Sequence, residues 1–242
     1  MQPDRLIALA GVPAADLRVL RAQIAAALFE ADKPAFAKMA ALSKALPGPI
    51  AAKITEHAIA PLLAARTAEL VEPHRAVDMV ARMSDDYLAD VSAALDASRA
   101  PELIARIPAH RVATIGAELA RRQQWVVIGG FVAQISPAAM AAAVQIFDGG
   151  QLLRIGFVLD DKARVDDVVR LVTDAQIDEM FVAAAAHALW GELDDVLAHL
   201  STRRAARMRA GFARAPAEVV AATTAAARSG ALSRAGRRAL TA

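Results

Sequence analysis

The side chains with the most chemical potential in this 242-residue sequence are four pairs of adjacent aspartates, Asp85-Asp86, Asp160-Asp161, Asp166-Asp167 and Asp194-Asp195. Carboxylate oxygens are hard ligands, and Mg²⁺ is commonly held by one or two of them with water completing its shell. Asp85, Asp86, Asp160, Asp161, Asp166 and Asp167 are the candidate metal ligands on that ground. The same pairs stand where helices would begin, and the positive end of a helix dipole favours acids there without any metal. Neighbours in sequence also point in different directions on a helix. Caps and solvated faces therefore compete with chelation at every pair.

Other catalytic constellations are missing from the sequence. With no cysteine, disulfides, thiolate metal sites and cysteine nucleophiles do not arise. His57, His74, His110, His187 and His199 show neither HxH nor HxxxH spacing, the patterns that place two imidazoles on one zinc ion. Gly129-Gly130 and Gly149-Gly150 lack the context of a phosphate-binding loop, so close packing or turns explain them. No GxSxG elbow is present. The expectation is a non-catalytic protein with no required cofactor, Mg²⁺ being the one ion its carboxylates could take.

Charge is unevenly spread. Residues 203–242 hold nine arginines against Glu218, a net +8, which leaves −6 on residues 1–202. Arg203, Arg204, Arg207 and Arg209 are spaced closely enough to neutralise phosphates of nucleic acid or of an anionic lipid surface. Phe212 alone could stack on a base there. A merely solubilising tail is the competing reading.

The elements that must position these groups are helical. Hydrophobic residues make up 56% of the chain but aromatics only 4%, and the alanine-rich remainder favours helices over strands. Leu17, Leu20, Ile24 and Leu28 fall on one face of a first helix. Asp32-Lys33-Pro34 restarts a second helix with Phe36, Met39, Ala40 and Leu42 as its apolar side. Pro47-Gly48-Pro49 breaks the chain, and Ile50–Leu70 reads as a long helix kinked before Pro61.

A repeat follows. Residues 71–83 align onto residues 95–107 with a shift of 24, matching Arg75 to Arg99, Ala76 to Ala100, Asp78 to Glu102 and Ala81-Arg82 to Ala105-Arg106. Leu88, Val91 and Leu95 are answered by Val112, Ile115 and Leu119. Each unit is a short helix, a turn at Ser84 or Pro108, and a second helix. A degenerate third unit runs to Ile146-Phe147 and a fourth to Asp160-Asp161. Such units cannot bury an apolar face alone and must stack.

Trp125–Phe147 contains 23 residues without a formal charge, long enough to cross a bilayer. Ser136-Pro137 at its centre is a cap followed by a first helical position, so two buried helices are expected instead of a span. Met1–Ala10 has no secretory-signal pattern, and the expected setting is the cytoplasm. Residues 1–45 are expected to form a helical cap, 46–202 the repeat body and 203–242 a loose basic tail.

Arg75-Ala76, Met79-Val80, Met83-Ser84 and their counterparts Arg99-Ala100, Leu103-Ile104, Ile107-Pro108 resemble the intracellular N-terminal domain of MgtE-type magnesium transporters. The middle domain of the flagellar switch protein FliG is similar. The resemblance covers about residues 71–160. It implies a right-handed superhelix of short helix pairs and a regulatory or docking role, with regulatory magnesium as an association of that family. The tandem CBS segment and transmembrane helices that follow in the transporter have no counterpart here. A protein partner is therefore expected, with Arg82 and Arg106, equivalent in successive units, on one edge of the binding face.

Overall fold

A computed structural model describes residues 11–241; Met1–Ala10, read above for a signal sequence, lies outside them. All regular structure among the described residues is helical. In chain order the α-helices are α1 (Ala14–Ala45), α2 (Gly48–Ala58), α3 (Pro61–Ala68), α4 (Pro73–Val80), α5 (Asp85–Ala94), α6 (Pro101–Arg106), α7 (Ala109–Arg121) and α8 (Trp125–Phe131). They continue as α9 (Pro137–Val144), α10 (Gly149–Val158), α11 (Arg164–Leu171), α12 (Asp174–His187), α13 (Trp190–Ala198), α14 (Thr202–Arg214), α15 (Ala217–Arg228) and α16 (Arg234–Thr241).

Local chemistry places the breaks. Pro61, Pro73, Pro101 and Pro137 each open a helix as its first residue, where the missing N–H costs nothing and the fixed φ suits the helix. Ser84 and Ser136 cap α5 and α9 as their spacing predicts. Thr173 and Asp148 complete capping boxes with Gln176 and Gln151. The uncharged Trp125–Phe147 stretch is the two helices α8 and α9, and no helix of the described residues is long and apolar enough to cross a membrane.

The repeat extends well beyond residues 71–160. Even-numbered helices start at Gly48, Pro73, Pro101, Trp125, Gly149, Asp174 and Thr202, intervals of 24 to 28 residues, and odd-numbered ones from Pro61 to Ala217 keep the same interval. Helices two apart pack side by side: α1, α3, α5, α7 and α9 form one layer, α2, α4 and α6 begin the other, and α8, α10, α12, α14 and α16 continue it. This is an all-α helical-repeat array. Its main core runs unbroken from Ala51 to Val219.

One polar device recurs between units. Tyr87 Oη, near the start of α5, lies 3.0 Å from the Thr55 carbonyl and 2.9 Å from that of Ile59, at the end of α2. Arg111 of α7 donates to the carbonyls of Val80 and Met83 after α4, at 3.1 and 2.7 Å. Gln176 Nε2 of α12 donates to Val144 and Phe147 at the end of α9, both at 2.8 Å. Arg207 of α14 does the same for Val169 and Val172 of α11, at 3.3 and 3.0 Å. Arg75 of α4 reaches the carbonyls of Ser43 and Leu46 that close α1. In each case one side chain brackets the end of the helix three before its own.

Three expectations are corrected. Asp32 does not cap a new helix: α1 continues through Pro34. One lost hydrogen bond at an exposed turn is outweighed there by the buried Phe29–Phe36 pair, whose rings sit 5.7 Å apart across the proline. Ile50–Leu70 is two separate helices rather than one kinked one, because Ile59 and Ala60 are extended. The 203–242 stretch is not loose. Helices α14–α16 pack on α12 and α13, with Met208 and Leu232 fully buried.

Small residues make that packing close. A Cβ on Gly149 would strike the Glu179–Met180 backbone and stand 2.7 Å from Glu179 Cβ, whereas one on Gly191 meets nothing within 4 Å. Gly149→Ala is expected to lower stability by about 1–3 kcal/mol. Gly191→Ala, in α13, is expected to be neutral or stabilising by up to about 1 kcal/mol. Chemical denaturation of the two variants checks the contrast.

Candidate interaction site

The two ends of the array differ. Of the fifteen large hydrophobic residues that are exposed among the described residues, eleven lie between Val12 and Leu63 and none lies beyond Val182. Leu20, Ile24 and Leu28 form an i, i+4, i+8 ridge on the first half of α1, and Leu42, Leu46, Ile50 and Ile54 continue the surface onto its second half and α2. Scattered exposed apolar residues are ordinary; a contiguous set marks a contact surface.

Beneath Leu42 and Ile54 the layers part around a half-open cleft of about 450 Å³. Its walls are almost wholly aliphatic: Met39 of α1, Ala51 and Ile54 of α2, Ala64 of α3, Met79 and Val80 of α4, Leu88 and Val91 of α5, with Leu103, Ile115 and Phe131 at its floor. Methionines at 39, 79 and 83 give it adaptable walls. The helix α1 is fixed above it by Arg99, whose guanidinium lies 3.8 Å from the Phe29 ring centre while its Nε donates to Glu69 at 2.7 Å.

Arg82 and Arg106 are both exposed, at the ends of the neighbouring helices α4 and α6. Each immediately precedes a residue of the cleft wall, Met83 and Ile107. Arg82 holds only an exposed pair with Asp78 at 3.0 Å, and Arg106 makes no ion pair. The two residues singled out by the repeat therefore flank one surface.

The aspartate pairs are engaged with the protein's own groups. Asp85 accepts from Arg111 at 2.6 Å and from Thr114, and Asp86 pairs with Arg122. Asp160 meets Arg21; Asp161 accepts from the Ala163 amide; Asp161 and Asp167 flank Arg164. Asp166 accepts from the Ser201 amide and Asp194 from that of Ser233, both at 2.8 Å, and Asp195 holds Lys162 at 2.6 Å. No cluster of three or more possible metal ligands occurs among the described residues.

Five of the nine C-terminal arginines are likewise used within the fold. Arg204 faces Asp166; Arg207 pairs with Asp174 at 2.6 Å and Arg214 with Asp178 at 2.7 Å. Arg209 and Arg237 donate to the carbonyls of Ala239 and Leu232. Arg203, Arg228, Arg234 and Arg238 stay exposed without partners.

The cleft itself was not foreseeable from residues 71–160 alone. On the Leu17–Leu28 face, Leu20, Ile24 and Leu28 turn to solvent, while Phe29, Phe36 and Ala40 are the buried side of α1. Two apolar faces on one helix are the signal that could have revealed it. The chain matches no family model, no curated protein and no solved structure.

Tyr87 is the sole tyrosine and stands in the cleft wall. Burial, with Glu56 adding a smaller effect, pushes its hydroxyl up to about 12. The phenol stays neutral in the fold while the unfolded chain ionises near pH ~10. Its contribution is thus fully present below about pH 10 and is lost as pH rises through about 12. Phenolate absorbance is expected to titrate near 12 in the native protein and near 10 in denaturant. Tyr87→Phe, which leaves two carbonyls at the end of α2 without their donor, is expected to cost about 1–2 kcal/mol.

Proposed function

We propose that this protein is a non-catalytic docking module that presents the N-terminal end of its helical-repeat array to another protein. One observation carries the reading: the array is closed at its C-terminal end and open and aliphatic at the other. Repeat arrays need polar outer faces on their terminal units, and α14–α16 supply one. A half-open aliphatic cleft of about 450 Å³ keeps apolar surface in contact with water, which burial against an apolar partner would relieve. A cleft of this size suits apolar anchors brought by a partner, the way amphipathic helices seat in grooves. The likeness to the MgtE N-terminal domain points to the same kind of role. The proposed setting is the cytoplasm, where a cysteine-free chain needs no oxidative folding.

Co-purification from the native cell tests it. Leu42→Asp combined with Ile54→Asp is expected to abolish partner recovery, since a central apolar anchor is worth about 2 kcal/mol or more, roughly 30-fold in affinity. Charge reversal at Arg82 and Arg106 is expected to weaken recovery several-fold through the rim. Neither should lower the melting temperature. Undiminished recovery by the double aspartate variant removes the cleft from the function.

A second reading rests on the four unpartnered arginines of the C-terminal end, which could meet an anionic membrane surface or nucleic acid. Truncating 203–242 is no clean test, because it strips Met208 and Leu232 from the core. Glutamine at Arg203, Arg228, Arg234 and Arg238 is expected to abolish sedimentation with anionic vesicles under this reading; sedimentation that persists rejects it.

A further inference from the structure

Two apolar features of the N-terminal end are each incomplete, and each has the shape the other lacks. The first half of α1 raises a ridge, Leu20, Ile24 and Leu28, exposed by 43%, 53% and 64%. The second half borders the 450 Å³ cleft through Leu42, and Leu46, the extended residue that follows the helix, borders it too. At about 100° per residue the ridge and Leu42 fall within an arc of about 80°, a single stripe along one side of the helix. Leu28 and Leu42 stand about 21 Å apart along the axis, so the ridge cannot fill the cleft of its own chain.

We propose that the occupant is a second copy of this chain, with α1 packed antiparallel to α1 about a two-fold axis. The ridge of each copy then fills the cleft of the other, and both unsatisfied surfaces are covered by one isologous contact. Setting Ile24 against Leu42 of the second copy fixes the register. Leu20 then lies over the end of α1 of that copy, and the axis passes near residue 33. In this register Lys38, exposed and unpaired in its own chain, stands beside Leu28 of the other copy, its aliphatic stem lying over that leucine and its ammonium reaching the rim.

Area agrees with a dimer. Leu20, Ile24, Leu28, Leu42, Leu46, Ile50 and Ile54, each about half exposed, present on the order of 350 Å² of apolar surface before the cleft walls are added. A standard interface takes about 800 Å² from each partner, a little over half of it apolar. The inference rests on the N-terminal end being the docking surface and names what docks there.

The test uses the full-length protein in sedimentation equilibrium and light scattering across concentration. A dimer with a dissociation constant in the micromolar range or tighter is expected. Ile24→Asp on the ridge and Ile54→Asp at the cleft mouth should each weaken it by about 100-fold or more, with unchanged helical circular dichroism. The chain has no cysteine, so crosslinks report register directly. Ile24→Cys with Leu42→Cys should crosslink between copies on oxidation. Ile24→Cys alone should not, its two copies lying about 27 Å apart. A monomer at about 100 μM, or ready crosslinking of the single variant, overturns the proposal. A monomer that still binds a different protein through Leu42 and Ile54 rejects the second copy while leaving the docking reading intact.

Discussion

The rest of the structure depends on how its many helix ends are satisfied. Every α-helix leaves its last carbonyls without internal partners, and an array of helices often only eight residues long multiplies those ends. Leaving such groups buried and unpaired costs about as much as losing the packing that buried them. Here an arginine, a tyrosine, a glutamine and two further arginines each reach back to two carbonyls, three or four residues apart, at the end of the helix three before their own. The bracket converts a polar liability into a joint that fixes the spacing between successive units. Only with that spacing fixed can alanine and glycine pack as closely as Gly149 does on α12.

The periodic part of this architecture was legible in the sequence. Proline and serine at the turns mark where helices begin, since a residue without an N–H and a residue that caps N–H groups both belong at a helix start. The shift of 24 between residues 71–83 and 95–107 therefore located true helix pairs, and the uncharged Trp125–Phe147 run resolved correctly at Ser136. The brackets were not legible, because Arg, Tyr and Gln do one job from one position and nothing in residue identity repeats. The packing of the C-terminal helices was not legible because their few large core residues, Met208, Val219 and Leu232, are separated by buried Ala205, Gly211, Ala226 and Gly236, too small to register as core. The equivalence of Arg82 and Arg106 follows from the repeat, but the candidate cleft beside them is assembled from helices remote in sequence, and a helical stripe does not reveal which of two apolar faces turns inward.

The acidic pairs illustrate how the environment reassigns a group. Adjacent aspartates invite a metal on composition alone. In the fold each carboxylate meets an arginine, a lysine or a helix-capping amide, and the two of a pair take different partners. Glu118 shows the strength of such pairing. Hydrogen bonds from Arg121 and then Arg122 hold it at about 2, far below the ordinary carboxylate range. The acidic body and the basic C-terminal helices are thus not separate charge domains, since Asp166, Asp174 and Asp178 are where Arg204, Arg207 and Arg214 attach.

The brackets have a further consequence for how the molecule comes apart. Those of Arg75, Tyr87 and Arg111 link α1 through α7, and those of Gln176 and Arg207 link α9 through α14. Among the described residues the ends of α3, α5, α6, α7, α8 and α10 carry no such bracket, and the close packing of the even layer is interrupted between α6 and α8. Opening any bracketed helix exposes carbonyls that a distant helix had satisfied, so loss spreads along the linked stretch instead of staying local. The main core crosses that interruption unbroken from Ala51 to Val219, with α7 and α9 packed across it, so loss that begins at one bracket is expected to spread along the array.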